Sequence, residues 1–183
     1  MSAIKTSVPT GTWVADKAHS RVEFAIKHMG IATVRGSFGE FAGTLELGED
    51  GTARAFGTVE VASITTGEQA RDNHLKSADF FDAENIPQIE FESTSIEALD
   101  DEEFRITGNL TMHGITKEIV LHADYQGTDI DPWGGTRIGL EVTGQLNRSE
   151  WDMKFNQMLG SGNLMVADKV KLEIDISAVK SEA

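Results

Sequence analysis

Alternation of apolar and polar side chains with a period of two constrains this chain more than any other feature. Val22, Phe24 and Ile26 alternate with Glu23, Ala25 and Lys27, and Phe41, Gly43, Leu45 and Leu47 form the next row. Ala53, Ala55, Gly57, Val59 and Val61 alternate with Arg54, Thr58 and Glu60, with Phe56 breaking the polar set. Ile89 and Phe91 follow, then Phe104, Ile106, Leu110 and Met112, then Ile119, Leu121, Ala123 and Tyr125. Ile138, Leu140 and Val142 precede the last row, Val170, Leu172, Ile174 and Ile176. Successive side chains of a strand point to opposite faces, so each segment buries one row and wets the other. About eight such segments suffice to close a barrel, with an interior that is either packed or holds one small ligand. The predicted fold is all-β, an eight-stranded antiparallel β-barrel.

The joints read as turns. Gly48-Glu49-Asp50-Gly51 and Asp100-Asp101-Glu102-Glu103 are short polar connections of an up-and-down meander, and Asp131-Pro132-Trp133-Gly134-Gly135 is a longer turn. Two stretches break the rhythm. In the 66–82 region alternation stops, and the pattern predicts a short helix capped by Thr66 with Glu68 in its first turn; Leu75, Phe80 and Phe81 would dock it on the sheet. Residues 148–163, rich in Met and Gly, read as a mobile crossing or lid. With no repeat, low-complexity tract or linker, residues 1–183 are expected to form a single domain with its core at about 12–178.

Charge and composition narrow the function. The 30 acidic and 16 basic side chains give a net charge of −14. Such a chain repels phosphate backbones and anionic lipid surfaces, so nucleic acid is not an expected partner and stable membrane insertion is not expected. The absence of Cys removes disulfides, thiolate zinc sites, iron–sulfur clusters and a Cys nucleophile. No apolar run reaches the ~20 residues of a spanning helix or shows the pattern of a secretion signal, so the expected location is cytoplasmic.

The motifs of catalysis are missing. His19, His28, His74, His113 and His122 show no zinc-ligand spacing, and the Gly-x-Ser-x-Gly elbow and Gly-rich phosphate loops are absent. No metal site, cofactor or catalytic residue is expected. His28 continues the inward row of Val22, Phe24 and Ile26, and two roles are open to it: a hydrogen-bonded core histidine, or a polar anchor for a ligand headgroup. His113, out of phase beside Gly114, reads as a turn contact. Arg71, Asp72 and His74 either tie the helix to the barrel or meet a ligand's polar end. The small inward row of Ala53, Ala55 and Gly57 faces large rows elsewhere, which allows either an interdigitated core or an elongated apolar tunnel. Met153, Met158 and Met165 add adaptable apolar surface.

Several motifs, in order, resemble one family. They are Asp16-Lys17-Ala18-His19-Ser20, which runs on to His28, then Val34-Arg35-Gly36-Ser37-Phe38 and Arg71-Asp72-Asn73-His74-Leu75-Lys76-Ser77-Ala78-Asp79-Phe80-Phe81-Asp82. Ile86-Pro87-Gln88-Ile89-Glu90-Phe91-Glu92-Ser93-Thr94 and Gly108-Asn109-Leu110-Thr111-Met112-His113-Gly114-Ile115-Thr116-Lys117 complete the set. Over nearly the whole chain this is similar to the YceI-like family. The resemblance implies a lipocalin-like barrel with a hydrophobic tunnel for polyisoprenoids, isoprenoid quinones or similar long amphiphiles. Many family members are periplasmic. The family's recurrent polar positions fall on His19, His28, Arg71, Asp72, His74 and His113, with no catalytic role implied.

The expected function is therefore non-enzymatic: binding a polyisoprenoid, isoprenoid quinone or fatty-acid-like lipid for transport, storage or sequestration. The expected ligand-binding residues are Phe24, Ile26, Phe91, Phe104, Ile106, Leu110, Met112, Leu121, Tyr125, Leu140 and Leu172, with His28 and Arg35 as headgroup contacts. Two alternatives stay open: a metal-assisted or lipid-modifying enzyme using the scattered histidines, and a filled-core structural or stress protein. An exposed strand edge or an apolar patch at the barrel mouth would be the place for a homodimer.

Overall fold

The structure is a computed structural model and describes residues 6–182. Its strands are β1 (Gly11–Ala15), β2 (Arg21–His28), β3 (Ala32–Phe38), β4 (Phe41–Leu47), β5 (Ala53–Glu60) and β6 (Ile64–Thr65), followed by a helix, α1 (Gln69–Lys76). Then come β7 (Gln88–Ala98), β8 (Glu103–Met112), β9 (Ile115–Ile130), β10 (Thr136–Asn147) and β11 (Val166–Lys180). The ring runs β1-β4-β5-β7-β8-β9-β10-β11 and closes by pairing β11 with β1, giving an eight-stranded antiparallel barrel. β2, β3 and β6 lengthen one side of the wall beyond the ring. β1 and β3, absent from the alternating rows recognised in the sequence, are short or hide their phase behind Gly36.

A break between β1 and β2 lets β11 pair with both. Trp13 sits opposite Lys180, and further along β11 Asp175 meets Arg21 and Val166 meets His28. The break is a single 3-10 turn at Lys17–His19 in which Asp16 caps the backbone N–H of Ala18 at 3.0 Å. The other carboxylate oxygen accepts from His19 Nδ1 at 2.7 Å and Arg137 Nη1 at 2.8 Å. Ser20 Oγ donates to the carbonyl of Ser177 and accepts from its N–H. The Asp-x-x-His-Ser motif thus stitches a kinked wall strand to β11. Arg137, and next His19, hold the Asp16 carboxyl at about 2.

The two ends of the barrel differ. One carries the β4–β5, β7–β8 and β9–β10 turns, the β7–β8 turn meeting residues 6–7. Val8 is buried there, Ser7 N–H donates to the carbonyl of Asp101, and Trp13 is fully buried with its indole N–H on the carbonyl of Pro9 at 3.0 Å. This is the turn end. The opposite end carries α1, the long β10–β11 connection and the β8–β9 hairpin, where His113 and Gly114 both have positive φ, as a two-residue type I′ turn requires. This is the helical end.

Two local expectations are corrected here. Glu68, not Thr66, caps α1 by accepting from the Ala70 N–H, while Thr66 donates its N–H and Oγ1–H to Asp72 Oδ1. The region 148–163 crosses the helical end as expected, but it is fastened down. Arg148 donates to the carbonyls of Met153, Val166 and Ala167, and Asn156 bonds both the N–H and the carbonyl of Val166.

Candidate functional site

The barrel is hollow. A cavity of about 450 Å³ runs along its interior. Phe24 and Ile26 of β2, Phe91 of β7, Phe104, Ile106, Leu110 and Met112 of β8, Leu121 of β9, Leu140 of β10 and Leu172 of β11 all line it. The space arises on the opposite side, where Gly43 of β4 pairs with Gly57 of β5 and Ala55 is the next inward residue. Rows this small cannot reach the bulky rows across the barrel.

Glycine also sets how the aromatic walls stand. Phe24 lies over Gly36, its register partner on β3, where a Cβ would approach Phe24 Cζ to 2.2 Å. Phe91 lies over Gly108 in the same way, at 2.5 Å. Both rings thereby cover backbone and leave the centre free.

The helical end brings polar groups to the cavity. Lys27, His28, Arg71, His74 and Arg148 line it, and no Asp or Glu does. His28 pairs in register with Val166, whose carbonyl accepts from Arg148 Nη2. The Arg148 guanidinium lies 5.8 Å from the Phe80 ring centroid. Phe80, Phe155 and His74 pack together, with His74 edge-on to Phe80 at 5.1 Å and to Phe155 at 4.7 Å. Arg71 donates to Thr66 Oγ1 at 2.7 Å and to its carbonyl at 2.9 Å. Burial raises the Asp72 carboxyl, but hydrogen bonds from Thr66 and Thr65 together with the Arg71 charge more than offset this and hold it below the ordinary value. Burial lowers the Arg148 guanidinium, with Asp168 opposing.

Two of the residues expected at the ligand lie off the cavity wall. Arg35 falls between inward Val34 and Gly36, so it points outward and donates to Glu173 Oε2 at 3.0 Å. Tyr125 is half-buried against the core beside a bulge at Gly139/Leu140, and its hydroxyl bonds Thr128 Oγ1. Conversely, Trp13, Lys27, Arg148 and Phe155 line the cavity without having been singled out from the sequence. Of the methionines, Met153 and Met165 line it and Met158 is exposed.

The histidines do not converge. His19 pairs with Asp16, His113 Nδ1 bonds the carbonyl of Trp151 at 2.8 Å, and His74 Nε2 bonds Asp79 at 2.8 Å. Among the described residues, one group has metal-ligand types within reach of one another: Glu103, His122 and Asp124, solvent-accessible on the outer face of β8 and β9 and away from the cavity.

A closed antiparallel barrel around an apolar cavity, one end of it polar, is the architecture of a small-ligand container. Residues 13–178 match the model of the YceI-like domain, and the chain belongs to that family. A UPF0312 protein of Staphylococcus aureus is 38% identical over 161 residues, spanning 86% of this chain and 91% of the relative. The YCEI protein of Campylobacter jejuni superposes with a TM-score of 0.72 at 30% identity, covering 86% of this chain and 91% of that one. Two more distant structures share the fold. Burkholderia cenocepacia BcnA has a TM-score of 0.77 at 21% identity, covering 89% of this chain and 98% of its own. A polyisoprenoid binding domain from Saccharophagus degradans has a TM-score of 0.70 at 11% identity, covering 94% of this chain and all of its own.

Proposed function

We propose that this protein binds a long-chain amphiphile (a polyisoprenoid, an isoprenoid quinone or a fatty-acid-like lipid) inside the barrel and carries or sequesters it without transforming it. The observation that carries the reading is the apolar cavity of about 450 Å³ that runs the length of the barrel. It disfavours the filled-core alternative. Membership of the YceI-like family and the likeness to a polyisoprenoid binding domain support the ligand class. Charged residues on the outward rows, such as Glu90, Glu92, Arg105, Lys171 and Asp175, suit an exterior facing water.

Each buried methylene contributes about 0.8 kcal/mol, so an alkyl or prenyl chain gains affinity mainly from length. Adding or removing one methylene discriminates by only ~1–3 kcal/mol, so tolerance of several chain lengths is expected. The test is organic extraction of the tag-free protein followed by lipid mass spectrometry, in parallel with Ala55→Phe. Ala55 lines the cavity, and a phenyl ring there fills the space the small row leaves. A stoichiometric lipid in the wild type, lost or shortened in the folded variant, is the expected result. A lipid-free protein that also fails to take up added prenyl alcohols and fatty acids would overturn the reading.

A further inference from the structure

We propose that Glu103, His122 and Asp124 form a binding site for a divalent transition-metal ion of the zinc type, on the outer wall of the barrel. The proposal is independent of the lipid-binding reading, because none of the three lines the cavity.

The register of two long strands assembles the donor set. Glu103 of β8 lies opposite Asp124 of β9, and His122 precedes Asp124 by two residues on the same outward row, opposite Arg105. The ligands come from two strands, so local histidine spacing gives no sign of them. The Tyr125 N–H donates to the carbonyl of Glu102 at 2.8 Å, so backbone bonding continues past the site. Donors on such paired strands are held near their working positions before an ion arrives. One imidazole nitrogen and two carboxylate oxygens lie within 4.8 Å of one another. His122 Nε2 is 3.5 Å from Asp124 Oδ1 and 3.9 Å from Glu103 Oε2. A good hydrogen bond, about 2.7–3.2 Å long, is shorter than either. Ligand atoms about 2.0–2.1 Å from a tetrahedral zinc ion sit about 3.4 Å apart, so small side-chain rotations complete the geometry.

The charge balance favours a cation here. On the same outer wall Glu23 also opposes Glu173 in register, and there each carboxylate has an arginine: Arg21 at 3.7 Å and Arg35 at 3.0 Å. Among the described residues Glu103 and Asp124 have no ion-pair partner but His122. Arg105 pairs instead with Glu97 of β7 at 3.0 Å. Glu141 of β10, opposite Asp124, and Asp175 of β11, opposite Glu141, extend the row of carboxylates. Like charges opposed across strands are destabilising, and a dication relieves that repulsion. The imidazole decides which dication. It suits zinc, copper or nickel, whereas calcium and magnesium take oxygen donors. Three protein donors leave the fourth position of a zinc ion to water.

The experiment titrates Zn²⁺ into the full-length, chelator-stripped protein by calorimetry, with Ca²⁺ as the hard-cation control and circular dichroism confirming the fold of each variant. One Zn²⁺ per chain is expected. His122→Ala and Asp124→Asn should each weaken it roughly tenfold or more. Glu118→Gln, farther along the outward row of β9, should leave it unchanged. Thermal unfolding of the wild type should shift upward with added Zn²⁺, and that of His122→Ala should not. Zinc binding that survives His122→Ala places the ion at another imidazole and overturns the assignment. Ca²⁺ binding as tightly as Zn²⁺ overturns the role of His122, and a protein that takes up no Zn²⁺ overturns the site itself.

Discussion

The turn end and the helical end of the barrel handle polar groups in opposite ways. At the turn end Arg137 donates to both Asp16 and Asp131 at 2.8 Å, so each charge has a partner, and Trp13, Ile138 and Ala178 are buried there. At the helical end a buried guanidinium hydrogen-bonds to carbonyls alone, and basic side chains line the apolar cavity. The first arrangement maximises local consistency. The second departs from it beside the cavity, the pattern expected when one region holds the shape and another is kept for function.

That contrast can be broken from either side. The largest effect is expected from Trp13→Ala, which empties the turn end of its fully buried indole; denaturant unfolding should show a loss of about 3–5 kcal/mol. Arg148→Met should cost about 3 kcal/mol, because it takes a donor from the Met153 and Ala167 carbonyls and leaves the Val166 carbonyl with Asn156 as its side-chain donor. Hydrogen exchange in that variant should quicken across residues 152–166 while the turn end stays protected. Gly57→Ala should destabilise by about 2 kcal/mol, since the new methyl would lie 2.5 Å from the backbone carbonyl of Ala42. Gly36→Ala should cost less, because the clash falls on the far edge of the Phe24 ring, which can swing into the cavity; the readout is reduced lipid capacity.

The smallest effect is one of pH. The Asp16 carboxyl is depressed from 3.8 to about 2, so its contribution is complete above 3.8 and is lost as pH falls through about 2. Asp16→Asn should therefore flatten the stability–pH curve over that interval, and acid titration of both proteins followed by tryptophan fluorescence checks it.

How much of this was legible in the sequence follows from where side-chain period exists. The rows of β8, with Phe104, Ile106, Leu110 and Met112, declared their inward face by alternation alone, and all four reach the cavity. The same rule applied to Val34 and Gly36 turns Arg35 outward, but Gly36 masks that row because glycine carries no hydropathic signal. Tyr125 stayed in phase with Ala123, yet the neighbouring bulge and its hydroxyl's bond to Thr128 take it off the wall. Arg148 and Phe155 belong to segments without a period, where nothing in the one-dimensional pattern says which way a side chain points. Their positions follow from long-range contacts with Ala167, Phe80 and His74. Whether the interior was packed or hollow depended on the pairing of Gly43 with Gly57, a matter of register between strands.

β11 pairs with β10 along most of its length, with β2 from Val166 to Asp175 and with β1 at its end. It is also the last of the described barrel strands in chain order. During synthesis every other wall strand is available while the seam between β10 and the β1–β2 strand stays open, and contacts so distant in sequence form slowly. Until Ala178 reaches Ala15, the inner apolar rows are exposed to whatever surrounds the nascent chain, so the container exists only once β11 is in place and cannot hold cargo as a vessel before then. Ending the chain before Ala178 would remove the clasp and leave the staves, and such a protein should aggregate instead of simply binding less.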